Sequence, residues 1–81
     1  MDDVIAALQE VVPVVREEPG CLAYVPHIVK GKRNKNTIVF YEKYEDQAIL
    51  DAHSAKLPTY FKNVFPHIQG NIDIKVCEEI V

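Results

Sequence analysis

The chain has 81 residues, 48% apolar and 26% charged, with a net charge of −3. That length holds one domain, and so small a domain buries only about 60–65% of the surface its unfolded chain exposes, which makes a partner subunit a common supplement. The negative balance argues against general affinity for nucleic acid or an anionic membrane surface, and no apolar run approaches the roughly 20 residues of a membrane span.

Met1-Asp2-Asp3 opens the chain with acid where a signal peptide would carry base, so the expected compartment is the cytoplasm. Asp2 or Asp3 can cap a first helix, in which Val4, Ile5, Leu8, Val11, Val12 and Val15 form one apolar stripe. Pro13 falls inside that stripe and is expected to kink it or to mark a late irregular turn. Pro19-Gly20 ends the element.

Cys21 to Val29 reads as a strand, with Pro26 implying an edge or a bulge at that point. The polar turn from Lys30 to Asn36 leads to a second strand, Thr37 to Tyr44. Ile38, Phe40, Glu42 and Tyr44 alternate with Thr37, Val39, Tyr41 and Lys43, so the two sets lie on opposite faces. Asp46 caps the next helix, where Ile49, Leu50, Ala52 and His53 share a face or nearly so. Leu57-Pro58 is expected to break it and Pro58 to open another short helix carrying Tyr60, Phe61, Val64, Phe65 and Ile68. After a turn at Gly70-Asn71, Ile72, Ile74 and Val76 alternate with Asp73, Lys75 and Cys77, the pattern of a half-buried strand.

The expected order is helix, strand, strand, helix, strand. A strand in front would complete the ferredoxin-like βαββαβ pattern. There is no room for it before Val4.

Read together, Glu18-Pro19-Gly20-Cys21-Leu22 with Tyr24, Phe40-Tyr41-Glu42 with Tyr44-Glu45-Asp46, Ala52-His53 and Ile74-Lys75-Val76 resemble the antibiotic biosynthesis monooxygenase family, which includes quinol monooxygenases. The resemblance runs from the first helix to the end of the chain. It implies an α+β fold: a ferredoxin-like antiparallel sheet with helices on one face, paired across a homodimer as an α+β barrel, here lacking the usual first strand. It also implies a pocket between sheet and helices. Some members oxidise phenols or quinols with dioxygen and no cofactor, by deprotonating the substrate so that its anion meets oxygen. The chain departs from two better-known patterns. Haem-degrading relatives use an Asn of the first strand with a Trp and a His, and this chain has no Trp. The Asn–Trp–Arg set of aromatic-oxidising members has no counterpart here either.

His53 is the leading catalytic candidate, since it stands on a helix facing the sheet and matches the family position. A neutral imidazole takes a phenolic proton near neutral pH. A half-buried histidine bonded to a backbone or carboxylate group would look the same in sequence. Glu42, among apolar neighbours on its strand face, is its expected polar partner; the plainer alternative is a solvated or lysine-paired carboxylate. Tyr24, Phe40, Tyr41, Tyr44, Tyr60 and Phe61 are the expected pocket wall, although such rings more often serve as core or interface packing.

His27 and His67 are scattered and lack metal-ligand spacing. Cys21 and Cys77 form no framework and read as free thiols, Cys21 an inert one. Lys30, Lys32, Arg33 and Lys35 make a basic turn with no aromatic residue interleaved, better suited to a solvated hairpin tip than to nucleic acid. The functional expectation is a cofactor-independent monooxygenase acting on a small phenolic or quinol-like molecule, with no metal. The alternative is a non-enzymatic binding or assembly module of the same fold.

Overall fold

The computed structural model describes residues 1–70 and 72–81. The elements are α1 (Asp2–Arg16), β1 (Cys21–Ile28), β2 (Ile38–Tyr44) and α2 (Gln47–Tyr60), with single 3-10 turns at Lys32–Asn34 and Phe65–His67. The fold is α+β, with β1 and β2 antiparallel and the helices against one face of the hairpin. It agrees with a ferredoxin-like arrangement whose sheet is shortened.

In α1, Leu8, Val12 and Val15 recur at helical spacing and are the buried residues. Asp2 and Asp3 lie within the first turn, not ahead of it, so they act on the helix dipole by charge. Neither side chain caps: the cap position is Met1, without a side-chain bond. Pro13 lies inside the helix with its exposed side outward, and the helix carries on to Arg16. The exit is tight. The Glu18 N–H donates to the Val15 carbonyl at 3.1 Å, and the Glu18 carbonyl accepts from Cys21 N–H at 3.1 Å. Between them Gly20 adopts φ +87°.

The hairpin register sets Tyr24 opposite Glu42, Pro26 opposite Phe40 and Ile28 opposite Ile38. Tyr24 is buried against the helices. The reverse face carries Val39 and Tyr41, both more than half exposed. The register shifts between Cys21 and Ala23, not at Pro26. β1 has an open edge, where a residue without an N–H is tolerated.

Asp46 caps α2 as expected: its Oδ1 accepts from Ile49 N–H at 2.9 Å. The expected break at Leu57-Pro58 does not occur, and α2 runs through it to Tyr60. A proline so late forgoes one backbone bond, and the next bond, from Phe61 N–H to the Leu57 carbonyl at 2.9 Å, is kept. Phe61 and Val64 then join Leu8, Val12, Val15 and Tyr24 in the core.

The strand expected at Ile72 to Cys77 is also absent. Residues 72–81 have no regular structure and are exposed. In the ferredoxin-like order the last strand lies beside the first, and the described residues hold no strand ahead of α1. A period-two pattern assigns faces but forms no ladder without a neighbour. One exposed ion pair, Lys43 Nζ to Glu79 Oε1 at 2.7 Å, ties this tail to β2. The turn expected at Gly70-Asn71 falls partly outside the described residues. No described helix is long and apolar enough to cross a membrane.

Candidate functional site

His53 is 3% exposed, the one buried polar residue among those described. Its burial follows from the capped start of α2, which turns this position onto the hairpin. Three tyrosine rings enclose it, with centroids 5.4 Å (Tyr24), 5.2 Å (Tyr44) and 6.0 Å (Tyr60) from the imidazole. A carboxylate stands on each side. Glu18 Oε2 lies 3.7 Å from Nδ1, and Glu42 Oε1 lies 3.9 Å from Nε2. Both distances suit ion pairing and exceed a hydrogen bond. Nδ1 is buried without a hydrogen-bond partner. An orphaned buried polar atom costs about 1–3 kcal/mol, so its persistence calls for a reason.

The two carboxylates differ. Glu18 comes from the α1 exit and keeps 14% of its side-chain surface. Its Oε1 accepts from the Tyr60 hydroxyl and from Lys56 Nζ, the latter at 3.2 Å. The Tyr60 bond holds the Glu18 carboxyl below the ordinary carboxylate range, against an opposing push from burial, and Lys56 adds to the lowering. The same bond pushes Tyr60 up to about 12. Glu42 is more open, at 31%, and its Oε1 accepts from the Tyr44 hydroxyl at 2.6 Å. Burial, with that bond second, raises Tyr44 far above its usual value, and burial likewise raises Tyr24.

The structure therefore brings His53, Glu42, Tyr24, Tyr44 and Tyr60 together. Phe40 and Phe61 form a second aromatic layer, with Phe40 5.6 Å from Tyr24 and 6.0 Å from Phe61. Tyr41 is placed elsewhere: it points to the reverse face and is 55% exposed, because side chains alternate along β2. It does not line this cluster. Glu18 and Lys56 are members that sequence reasoning missed. One signal marked Glu18: an acid just past a helix C-terminus faces the negative end of the dipole and is misplaced unless something else needs it.

Among the described residues two clefts stand out, and neither reaches His53. One of about 250 Å³ runs between α1 and the end of α2, beside Val11, Val14 and Asn63. The other, about 360 Å³, lies between α1 and the hairpin, beside Leu8, Arg16, Pro26 and Ile38. Among the described residues no three of His, Cys, Asp or Glu converge as a metal site. Cys21 and Cys77 are both free, and burial raises the Cys21 thiol, which keeps it protonated and unreactive. His27 and His67 are exposed.

Residues 1–65 match the family described as antibiotic biosynthesis monooxygenase. The chain belongs to that family. No curated protein and no solved structure gives a significant match. The match takes in all of the antibiotic biosynthesis monooxygenase hairpin, both helices and every residue of the histidine cluster, and stops short of the exposed tail.

Proposed function

We propose that this chain is a cofactor-independent monooxygenase, working as a homodimer on a small phenolic or quinol-like compound. One observation carries the reading. A buried imidazole lies between two carboxylates, each of which already accepts a phenolic O–H: Glu18 that of Tyr60, and the more open Glu42 that of Tyr44. The chain's own phenol thus stands where a substrate hydroxyl would bind. Nε2 of His53 takes the phenolic proton, and the resulting imidazolium has a carboxylate at each N–H. The phenolate is then electron-rich enough to react with dioxygen. One oxygen atom enters at a hydrogen-bearing ring carbon, para to the hydroxyl in a simple phenol and ortho to it in a quinol, and the other leaves as water. The displaced ring hydrogen and the phenolic hydrogen supply that water. All four electrons come from the substrate, so the balance calls for no external reductant.

Substrate entry requires Tyr44 to swing from Glu42. The more exposed position of Glu42 sets the entry on that side. The apolar reverse face, with Val39 and Tyr41 exposed, suits packing against a second copy.

One observation favours the alternative, a non-enzymatic binding or assembly module. The space beside His53 between sheet and helices is filled by Tyr24, Phe40 and Phe61, and the clefts described above lie away from His53. Oxygen uptake with a panel of phenols and quinols separates the two. The oxygenase reading expects consumption that falls about 10²–10⁴-fold in His53→Ala, the usual worth of a general base. Equal rates in the two proteins remove His53 from the reaction, and no uptake with any compound favours the module.

A further inference from the structure

We propose that Glu18 is the positioning residue of the site: it accepts the Nδ1–H of His53 and so reserves the Nε2 lone pair for the substrate proton. The catalytic consequence rests on the oxygenase reading, but the structural assignment does not.

A neutral imidazole carries one N–H, and the bond made by one nitrogen decides which nitrogen is free to act as a base. Both nitrogens of His53 face a carboxylate, so the choice between them depends on how the two differ. Glu18 is the fixed one. Its backbone is held on both sides of the α1 exit by the bonds to Val15 and Cys21. Its Oε1 is engaged by Tyr60 and Lys56, which leaves Oε2 facing Nδ1. His53, Lys56 and Tyr60 all belong to α2, at i, i+3 and i+7, so one helix face both carries the imidazole and secures the acceptor beside it. Glu42 is the adaptable one. It is more exposed, lies farther from the ring, and is engaged by a tyrosine hydroxyl from two residues along the same strand.

The other groups around the ring do not compete for Nδ1. Tyr24 comes from β1 and Tyr44 from β2, and both present ring faces or edges to the imidazole. The Nδ1–Oε2 separation is 3.7 Å, about half an ångström beyond the usual N–H···O range. Contacts of this kind are often long in an empty site and shorten when substrate arrives. The orphaned Nδ1 thereby gains its reason: its partner is in place and is engaged during the reaction.

The test is the protonation pattern of the His53 ring, read by long-range ¹⁵N–¹H correlation on the ¹⁵N-labelled full chain. Spectra are taken at the alkaline end of a titration, once the imidazole is neutral. The expected result is a proton on Nδ1 in the wild type. In Glu18→Leu the Nδ1–H to Nε2–H ratio is expected to fall about tenfold or more, the effect of losing one charge-assisted bond. Glu42→Gln is expected to leave the proton on Nδ1. A wild-type proton on Nε2 overturns the proposal, and so does an unchanged ratio in Glu18→Leu. The wild-type spectrum decides the matter even where Glu18→Leu does not fold. With a turned-over phenol, Glu18→Leu lowers kcat with little change in KM. A protein that shows Nδ1–H but oxidises no phenol loses the oxygenase reading and keeps this role for Glu18.

Discussion

Gly20 packs so closely against Ile49 that a methyl group on Gly20 would lie 2.8 Å from the isoleucine Cγ1. The contact joins the α1 exit to the first turn of α2, and so sets how Glu18 approaches His53. At φ +87°, Gly20 is also in a region that L side chains rarely adopt. Gly20→Ala is expected to cost roughly 2–3 kcal/mol, from backbone strain and overpacking together. Urea denaturation measures it. Adding Ile49→Ala should recover the overpacking share only, so the double variant falls short of additivity.

The Asp46 cap is a separate, local contribution. Its Oδ1 satisfies the Ile49 N–H, and Asp46→Ala leaves that donor to water. The expected loss is about 1 kcal/mol. Thermal unfolding followed by circular dichroism should show it, with the tyrosine environment of the folded state unchanged.

Stability should depend on pH at both ends, and a single bond contributes to each. The Tyr60 hydroxyl holds the Glu18 carboxyl below its ordinary 4.5. That contribution is complete above pH 4.5 and is lost as pH falls through the lowered value. Tyr60 itself is raised from 10.0 to about 12. Its contribution is complete below pH 10 and disappears as pH climbs towards 12. Unfolding midpoints in urea across pH should therefore form a plateau with two falling limbs. Tyr60→Phe should flatten both. Tyr24→Phe, which removes only a hydroxyl whose ionisation burial opposes, should flatten the alkaline limb alone. A Tyr60→Phe curve parallel to wild type would break the link between Tyr60 and Glu18.

The homodimer proposal places its interface on the reverse face of the hairpin. Tyr41 stands near the middle of that face, opposite Val25. Tyr41→Lys sets a charge where a second sheet would pack, and should weaken association by tenfold or more. Sedimentation equilibrium reads the shift. The histidine cluster is on the other face and keeps its folded tyrosine signature in the same variant.

Much of this arrangement was legible from spacing alone. Leu8, Val12 and Val15 announce the buried face of α1, and strand alternation sets Glu42 and Tyr41 on opposite faces, a rule that the expectation of Tyr41 in the pocket wall passed over. Asp46 announces α2, and the position of His53 within that helix follows. What spacing does not carry is return. Glu18 takes its role from Tyr60, 42 residues later, and nothing local to either residue states that they meet. Pro58 misled for a related reason: its local cost is real, but it falls in the last turn, where little remains to be broken. Ile72, Ile74 and Val76 have the pattern of a strand and lack the neighbour that makes one.

The tail beyond Gly70 has a practical side. Its described residues are exposed, and its recorded tie to β2 is an ion pair on the open surface, the kind that dissolved salt screens. Ionic strength thus becomes a dial on the molecule's outline. A pair so exposed contributes little, so salt is expected to shift the share of chains with the end drawn in and not to switch it. A protease added at each setting would report the difference as a rate of trimming while the histidine and its two acids stay intact.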